Sequence, residues 1–90
     1  MQVSVDLLTQ LRDAAGLGSQ TVELEPGSTV LDLVRALCTE HGPRFTRHAL
    51  SEAGELLPGL LVAVDGIQAD PGAALSGGER ILMGTAIAGG

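Results

Sequence analysis

The chain has 90 residues, a length that suits one domain with a single modest core. Hydrophobic residues make up 44% and charged residues 18% of the sequence, a balance typical of a folded chain and not of a disordered one. The formal net charge of −6 argues against partners such as nucleic acid or an anionic membrane, and it suits a basic protein partner. No apolar run is long enough to span a membrane and the N-terminus does not resemble a secretory signal, so we expect a cytoplasmic protein.

Two segments near the N-terminus alternate between apolar and polar residues. Residues 2–8 alternate with a period of two, which predicts a strand with one buried side. Leu8 departs from this pattern, because it places an apolar side chain on the polar face of the strand. Residues 9–16 are mildly helical, with Leu11 as the apolar anchor. Residues 20–25 alternate again, so the two strands are expected to form an antiparallel hairpin.

The clearest predicted helix follows this hairpin. Thr29 is a good N-cap, and Asp32 three residues later resembles a capping box. Gly42-Pro43 is expected to end the helix. Apolar residues recur with helical spacing and predict a buried stripe: Val30, Leu33, Val34, Leu37 and Cys38.

The C-terminal half contains further strands. A single helical turn is expected around Phe45. Residues 60–64 are a continuous apolar run that predicts a strand, and Asp65-Gly66 predicts a tight turn into a short return strand. Residues 80–83 predict the last strand, with Leu82 on its outward side.

A hairpin, one helix and further strands indicate an α+β fold, with one twisted sheet packed across the helix. The right-handed crossover rule leaves few topologies, and the compact one is the β-grasp, in which the first and last strands are central neighbours. Leu8 and Leu82 should then lie close together on the sheet face away from the helix. Because both break their strand's alternation, we predict that they form a partner interface.

The end of the chain has a composition of its own. Residues 84–90 carry no charge and no large side chain except Ile87, and they end in Gly89-Gly90. Such a stretch cannot bury enough surface to hold itself in place. We therefore predict a folded domain at residues 1–84 and a flexible C-terminal Gly-Gly tail at residues 85–90, a bare backbone that could thread a narrow channel.

Other chemically suggestive residues are better explained by structure. Cys38 lies on the apolar stripe, so it is expected to be a core residue and not a nucleophile. His41 and His48 have no accompanying carboxylate pattern, and we expect no metal site. The Gly77-Gly78 pair lacks the strand, loop and helix context of a phosphate loop and a following Lys.

Several segments, in this order and at these spacings, resemble one family: the ubiquitin-like sulfur carriers, which include the molybdopterin synthase small subunit and the thiamine sulfur carrier. The segments are residues 7–16, residues 26–30, Val62-Ala63-Val64-Asp65-Gly66 beside a family segment ending in Val-Asn-Gly, residues 75–81 beside Leu-x-Asp-Gly-Asp-x-Val, and Ile87-Ala88-Gly89-Gly90 beside a terminal Val-Ala-Gly-Gly. The resemblance implies a ubiquitin-like β-grasp with a mixed sheet of about five strands on one main helix.

The resemblance also implies a function for the tail formed by Ile87, Ala88, Gly89 and Gly90. In this family an ATP-dependent adenylyltransferase, similar to ubiquitin-activating enzymes, adenylates the terminal carboxylate, here that of Gly90. A sulfurtransferase or another persulfide donor then converts the adenylate to a thiocarboxylate. The sulfur passes to a synthase, for example the large subunit of molybdopterin synthase. The carrier would supply no catalytic residue and bind no cofactor, since ATP and Mg are used by the activating enzyme.

Two other functions remain open at the level of sequence. The same activated Gly90 could form an amide with lysines of other proteins, as in a ubiquitin-like modifier. The chain itself has no Lys, so it cannot form side-chain-linked chains with its own copies. Alternatively, the chain could be a non-catalytic β-grasp subunit with an inert tail.

Overall fold

The structure is a computed structural model, and it describes residues 1–85. Its elements, in chain order, are β1 (Gln2–Leu7), α1 (Thr9–Ala15), β2 (Ser19–Glu23), α2 (Val30–His41), α3 (Pro43–Thr46), β3 (Leu60–Val64), β4 (Ile67–Gln68) and β5 (Arg80–Thr85). The predicted tail residues Ile87, Ala88, Gly89 and Gly90 lie outside the described residues.

The strands form one mixed sheet in the order β2-β1-β5-β3-β4. The central strands β1 and β5 are parallel, and the other neighbouring pairs are antiparallel. This arrangement confirms the predicted α+β sheet with its first and last strands side by side. Because β1 begins and β5 ends the described chain, the C-terminal end leaves from the middle of the sheet.

Helix α2 begins where the sequence predicts. The Thr29 hydroxyl accepts a hydrogen bond from the Asp32 backbone N–H at 3.3 Å, and the Asp32 carboxylate accepts one from the Thr29 backbone N–H at 2.9 Å. These reciprocal bonds form the capping box. The bonds that the Asp32 carboxylate accepts from the Thr29 N–H and hydroxyl hold the pKa of that carboxyl below its usual value. The helix ends at His41, before Gly42, which has a φ of 86°. The predicted stripe is fully confirmed, since its buried residues are Val30, Leu33, Val34, Leu37 and Cys38.

The core lies between α2 and the inward face of the sheet. Strands β1 and β5 contribute alternate residues to it, and Val5, Ile81 and Met83 have no exposed surface. The single aromatic residue, Phe45, is also fully buried and comes from α3, which begins with Pro43 at its first turn. Within residues 1–85, none of the helices combines the length and apolarity needed to cross a bilayer.

Three element boundaries differ from the sequence prediction. Strand β2 is Ser19–Glu23, shifted toward the N-terminus of the predicted 20–25. Pro43, expected to stop α2, also begins the short helix α3. Strand β5 continues past the predicted end at residue 83 and includes Gly84 and Thr85. The tail was predicted to begin at residue 85, and the structure places Thr85 in the sheet.

Candidate functional site

The outer face of the sheet, which lies away from α2, is apolar over strands β3 and β5. In an antiparallel pair, directly opposite residues share a face, and the register pairs Ala63 with Leu82 and Leu61 with Gly84. The side chains of Leu61 and Leu82 are 49% and 43% exposed. Leu8, directly after β1, is 41% exposed and lies beside them. Three large apolar side chains therefore face solvent where the sequence predicted two.

These residues form a groove that leads to the end of the described chain. The cavity has a volume of about 340 Å³. Its walls include Leu8, Thr9, Leu61, Ala63, Leu82, Gly84 and Thr85, and we call it the outer groove. Thr85 is the last residue that the structure describes, so a partner seated in the outer groove would contact the base of the C-terminal segment.

Over strands β1 and β2 the same outer face is polar. Strands β1 and β2 pair Ser4 with Thr21 and Asp6 with Ser19 on the outer surface. The Asp6 carboxylate accepts a hydrogen bond from the Nε of Arg80 at 3.1 Å. This exposed ion pair contributes little to stability. It marks the boundary between the polar side and the outer groove.

Gly84 allows Leu8 to form the wall of the groove. A Cβ atom placed on Gly84 would lie 3.2 Å from the Cβ of Leu8, closer than ordinary van der Waals contact. The absent side chain therefore lets Leu8 pack directly over the β5 backbone. This explains why a glycine stands within a central strand.

Thr9 closes the groove at the end nearest the C-terminal segment. Its φ is 53°, in the left-handed region that β-branched residues rarely adopt, at a cost of about 1–3 kcal/mol. Its hydroxyl oxygen accepts a hydrogen bond from the Thr85 backbone N–H at 3.1 Å and lies 3.0 Å from the Thr85 hydroxyl. The Thr85 hydroxyl donates to Oε1 of Gln10 at 2.8 Å. We call Thr9, Gln10 and Thr85 the clasp.

The structure brings together only part of the predicted site. Leu8 and Leu82 line the same groove, as their expected proximity requires, while their role as a partner interface stays a prediction. Gly90 and Gly89 lie outside the described residues, as do Ala88 and Ile87.

Sequence reasoning missed Leu61, Thr9 and Thr85. Residues 60–64 are apolar throughout, so their pattern indicated a strand buried on both faces and hid the outward side chain of Leu61. The two-layer fold could have shown it, since one helix covers only one face of the sheet. The roles of Thr9 and Thr85 depend on contacts between residues 76 positions apart, which no local pattern reports.

The other candidate residues lie away from the groove. Cys38 is buried on α2, and burial raises the pKa of its thiol. The Nε2 of His41 lies 2.7 Å from Oε1 of Gln20, and its ring packs on Phe45 with centroids 5.1 Å apart. Among residues 1–85, no group of three or more His, Cys, Asp or Glu side chains could hold a metal ion.

The Gly77-Gly78 loop binds a carboxylate of its own chain, that of Glu79. The Glu79 carboxylate accepts hydrogen bonds from the backbone N–H groups of Ser76 and Gly77, each at 2.6 Å. These bonds hold the pKa of Glu79 below its usual value. Strand β5, and not a helix, follows the loop. The loop therefore turns the chain into β5. The backbone N–H groups of Ser76 and Gly77 already donate to Glu79, so they are not available to a phosphate.

Solved structures with this fold cover the whole chain. SAMP1 from Haloferax volcanii is 26% identical, with a TM-score of 0.91 and 100% of both chains covered. A chain of the Amycolatopsis orientalis BexX/CysO complex is 26% identical, with a TM-score of 0.71, 98% of this chain covered and 99% of that one. A Pyrococcus furiosus protein described as molybdopterin converting factor, subunit 1, shares the fold at 21% identity, with a TM-score of 0.80 and 97% and 99% covered.

A search of curated proteins gave no significant match. The model of the ThiS family matches residues 5–90, which is nearly the entire chain and includes the diglycine. The β-grasp sheet, its C-terminal end at the centre of the sheet and this match agree with one another. The chain belongs to the ThiS family of small ubiquitin-like sulfur carriers and modifiers.

Proposed function

We propose that this protein is a sulfur carrier whose Gly90 carboxylate is adenylated and then converted to a thiocarboxylate. The observation that carries the proposal is the outer groove, an exposed apolar surface that ends at Thr85 in a chain whose family match extends to Gly90. A partner that holds the groove lies beside the base of the C-terminal segment. The folded body then provides the surface that the partner binds, and the chemistry takes place at the terminal carbonyl.

The reaction has two steps. A carboxylate resists nucleophiles, because its charge repels them and it lacks a good leaving group. In the first step an oxygen of the Gly90 carboxylate attacks the α-phosphate of ATP, and pyrophosphate leaves. In the second step a sulfide forms a C–S bond at the acyl carbon, and AMP leaves with the electron pair of the broken C–O bond. With a protein persulfide as donor, the product is an acyl disulfide that a thiol must reduce to release the thiocarboxylate.

The carrier and its partners divide this work. The carrier provides the outer groove, including Leu8 and Leu82, and the terminal residues Ile87, Ala88, Gly89 and Gly90. An ATP-dependent adenylyltransferase, similar to ubiquitin-activating enzymes, provides the Mg and ATP site, and a sulfurtransferase or persulfide donor provides the sulfur. A synthase accepts it, with the large subunit of molybdopterin synthase as one candidate. The carrier itself has no catalytic residue and no cofactor, and we place these steps in the cytoplasm, where ATP is available.

A second function, as a protein modifier, is favoured by one comparison. The H. volcanii protein that matches with a TM-score of 0.91 is named a small archaeal modifier protein. In that role the Gly90 adenylate would pass its acyl group to a lysine amine of another protein, forming an amide and releasing AMP. Both functions share the activation step and differ in the nucleophile.

Intact mass spectrometry separates these functions. The full chain is incubated with ATP, Mg, sulfide and the adenylyltransferase of the same organism. A sulfur carrier gains the mass difference between sulfur and oxygen, and omission of ATP abolishes the gain. A modifier instead forms ATP-dependent covalent adducts with lysate proteins, and an isopeptidase removes them. If neither product forms, the activation of Gly90 is refuted and an inert β-grasp subunit remains.

A further inference from the structure

We propose that Thr9 is a positioning residue, because its hydroxyl fixes Thr85 and thereby sets the point from which Gly90 is presented. This inference rests on the proposed function, since it concerns the same terminal carboxylate. It adds a role for the clasp that is separate from the apolar contacts of the outer groove.

The clasp continues the parallel β1–β5 ladder past its last backbone bond. That bond runs from the Leu8 N–H to the Met83 carbonyl, at 2.8 Å. In a parallel ladder the next bond would join the Thr85 N–H to the Leu8 carbonyl. The chain turns into α1 at this point, and the Thr9 hydroxyl lies between the two groups. It donates to the Leu8 carbonyl at 2.8 Å and accepts from the Thr85 N–H at 3.1 Å.

The conformation of Thr9 is consistent with this role. A β-branched residue with a φ of 53° persists only where its surroundings determine it. Thr9 is exposed, so core packing does not impose this conformation. The bond that its hydroxyl accepts from the Thr85 N–H, and the bond from the Thr85 hydroxyl to Gln10, join the start of α1 to the end of β5.

The anchor point decides how far the terminal residues reach. Residues 86–90 can span at most about 17 Å beyond Thr85 when fully extended. Strand β3 still pairs Leu61 with Gly84, so if Thr85 detaches when the clasp is lost, the anchor retreats by one residue to Gly84 and the span to Gly90 lengthens by about 3.5 Å. A retreat of the anchor point shifts the Gly90 carboxylate relative to a partner seated in the outer groove, and small misplacements of a reacting group can cost about a hundredfold in rate. Loss of the clasp should therefore lower kcat more than it raises KM, because the leucines of the groove are unchanged.

The test compares Thr9→Val with Thr9→Ser. Valine keeps the branched shape and removes the acceptor of the Thr85 N–H, whereas serine keeps the hydroxyl and removes only the methyl group. The measurements are pyrophosphate exchange with the adenylyltransferase of the same organism and hydrogen exchange of the Thr85 amide. We expect Thr9→Val to lower kcat about tenfold with KM within about twofold, and to speed exchange of the Thr85 amide. Thr9→Ser should behave like the native chain in both measurements.

Thr85→Val provides a second variant, since it removes only the hydroxyl of Thr85 and keeps its N–H bond to Thr9. Its effect on kcat should be smaller than that of Thr9→Val. The Tm of each variant should fall by no more than a few degrees, because the bonds removed are few and both residues lie outside the core.

Four outcomes would decide against the proposal or against the function on which it rests. Native kcat in Thr9→Val overturns the positioning role, as does an equal loss of kcat in Thr9→Ser. Unchanged exchange of the Thr85 amide in Thr9→Val overturns the anchoring itself. If the native chain is not adenylated at all, the proposed function fails, and amide exchange still decides whether Thr9 holds Thr85.

Discussion

The two sides of strand β5 use similar side chains for different purposes. On the inward side Ile81 and Met83 have no exposed surface, whereas Leu82 between them is 43% exposed on the outward side. The inward residues stabilise the fold by removing apolar area from water. The outward residue buries only part of its surface in the free protein, so the rest of its apolar surface is available to a partner. Alternation along one strand thus separates stability from binding.

The outward side is itself divided. The apolar part surrounds β3 and β5, and the polar part covers β1 and β2 with residues such as Ser4, Asp6 and Thr21. Only the apolar part leads to Thr85. A partner guided by apolar contacts would therefore dock beside the C-terminal segment and not on the opposite edge of the sheet.

The largest effect on stability should come from shortening a buried side chain on the inward, core-facing side. Leu37 is fully buried on α2, and Leu37→Ala should lower the free energy of unfolding by about 2–5 kcal/mol. The matched variant Leu82→Ala changes the same type of side chain on the outward side, and its effect should be smaller, about 1 kcal/mol, because only about half of that side chain is buried. Urea denaturation of both variants measures the difference. Comparable losses in the two variants would show that the groove residues belong to the stabilising core.

The outward side should dominate binding. Leu61→Asp combined with Leu82→Asp places two charges in the outer groove, where docking would bury them without partners. We expect the affinity for the adenylyltransferase, measured by calorimetry, to fall at least about tenfold.

A control for this double variant comes from the polar side of the same face. Thr21→Asp adds a charge to exposed β2 and should leave the affinity within about twofold of the native value. Because the double variant adds two charges and Thr21→Asp adds one, a loss in log Kd about half that of the double variant would point to net charge, and not to the outer groove, as the determinant of binding.

Local patterns predicted the elements whose signals lie within a few residues. The capping box of Thr29 and Asp32 and the spacing of the apolar stripe defined α2, and the rules for crossover connections placed β1 beside β5. The outward position of Leu61 was not predicted, because residues 60–64 do not alternate between apolar and polar residues. The extension of β5 to Thr85 was also missed. Gly84 and Thr85 have the small, uncharged side chains typical of a flexible tail. Their place in strand β5 depends on contacts with Leu8 and Thr9, at the other end of the sequence.

The same limit applies to the candidate site. Exposed leucines that break a strand's alternation can be recognised one at a time, and Leu8 and Leu82 were found in this way. A groove is a property of several strands in register, and the clasp requires a hydroxyl at the turn after β1. Both depend on the tertiary fold.

In the proposed function the terminal carboxylate undergoes the chemistry, and the folded body only presents it. The most direct test of this proposal is ATP–pyrophosphate exchange by the adenylyltransferase of the same organism, with the native chain and with a chain lacking Gly90 as substrates. We expect ATP–pyrophosphate exchange with the native chain, no exchange with the shortened chain, and the same Tm for both. Equal exchange with the two chains would contradict the proposal.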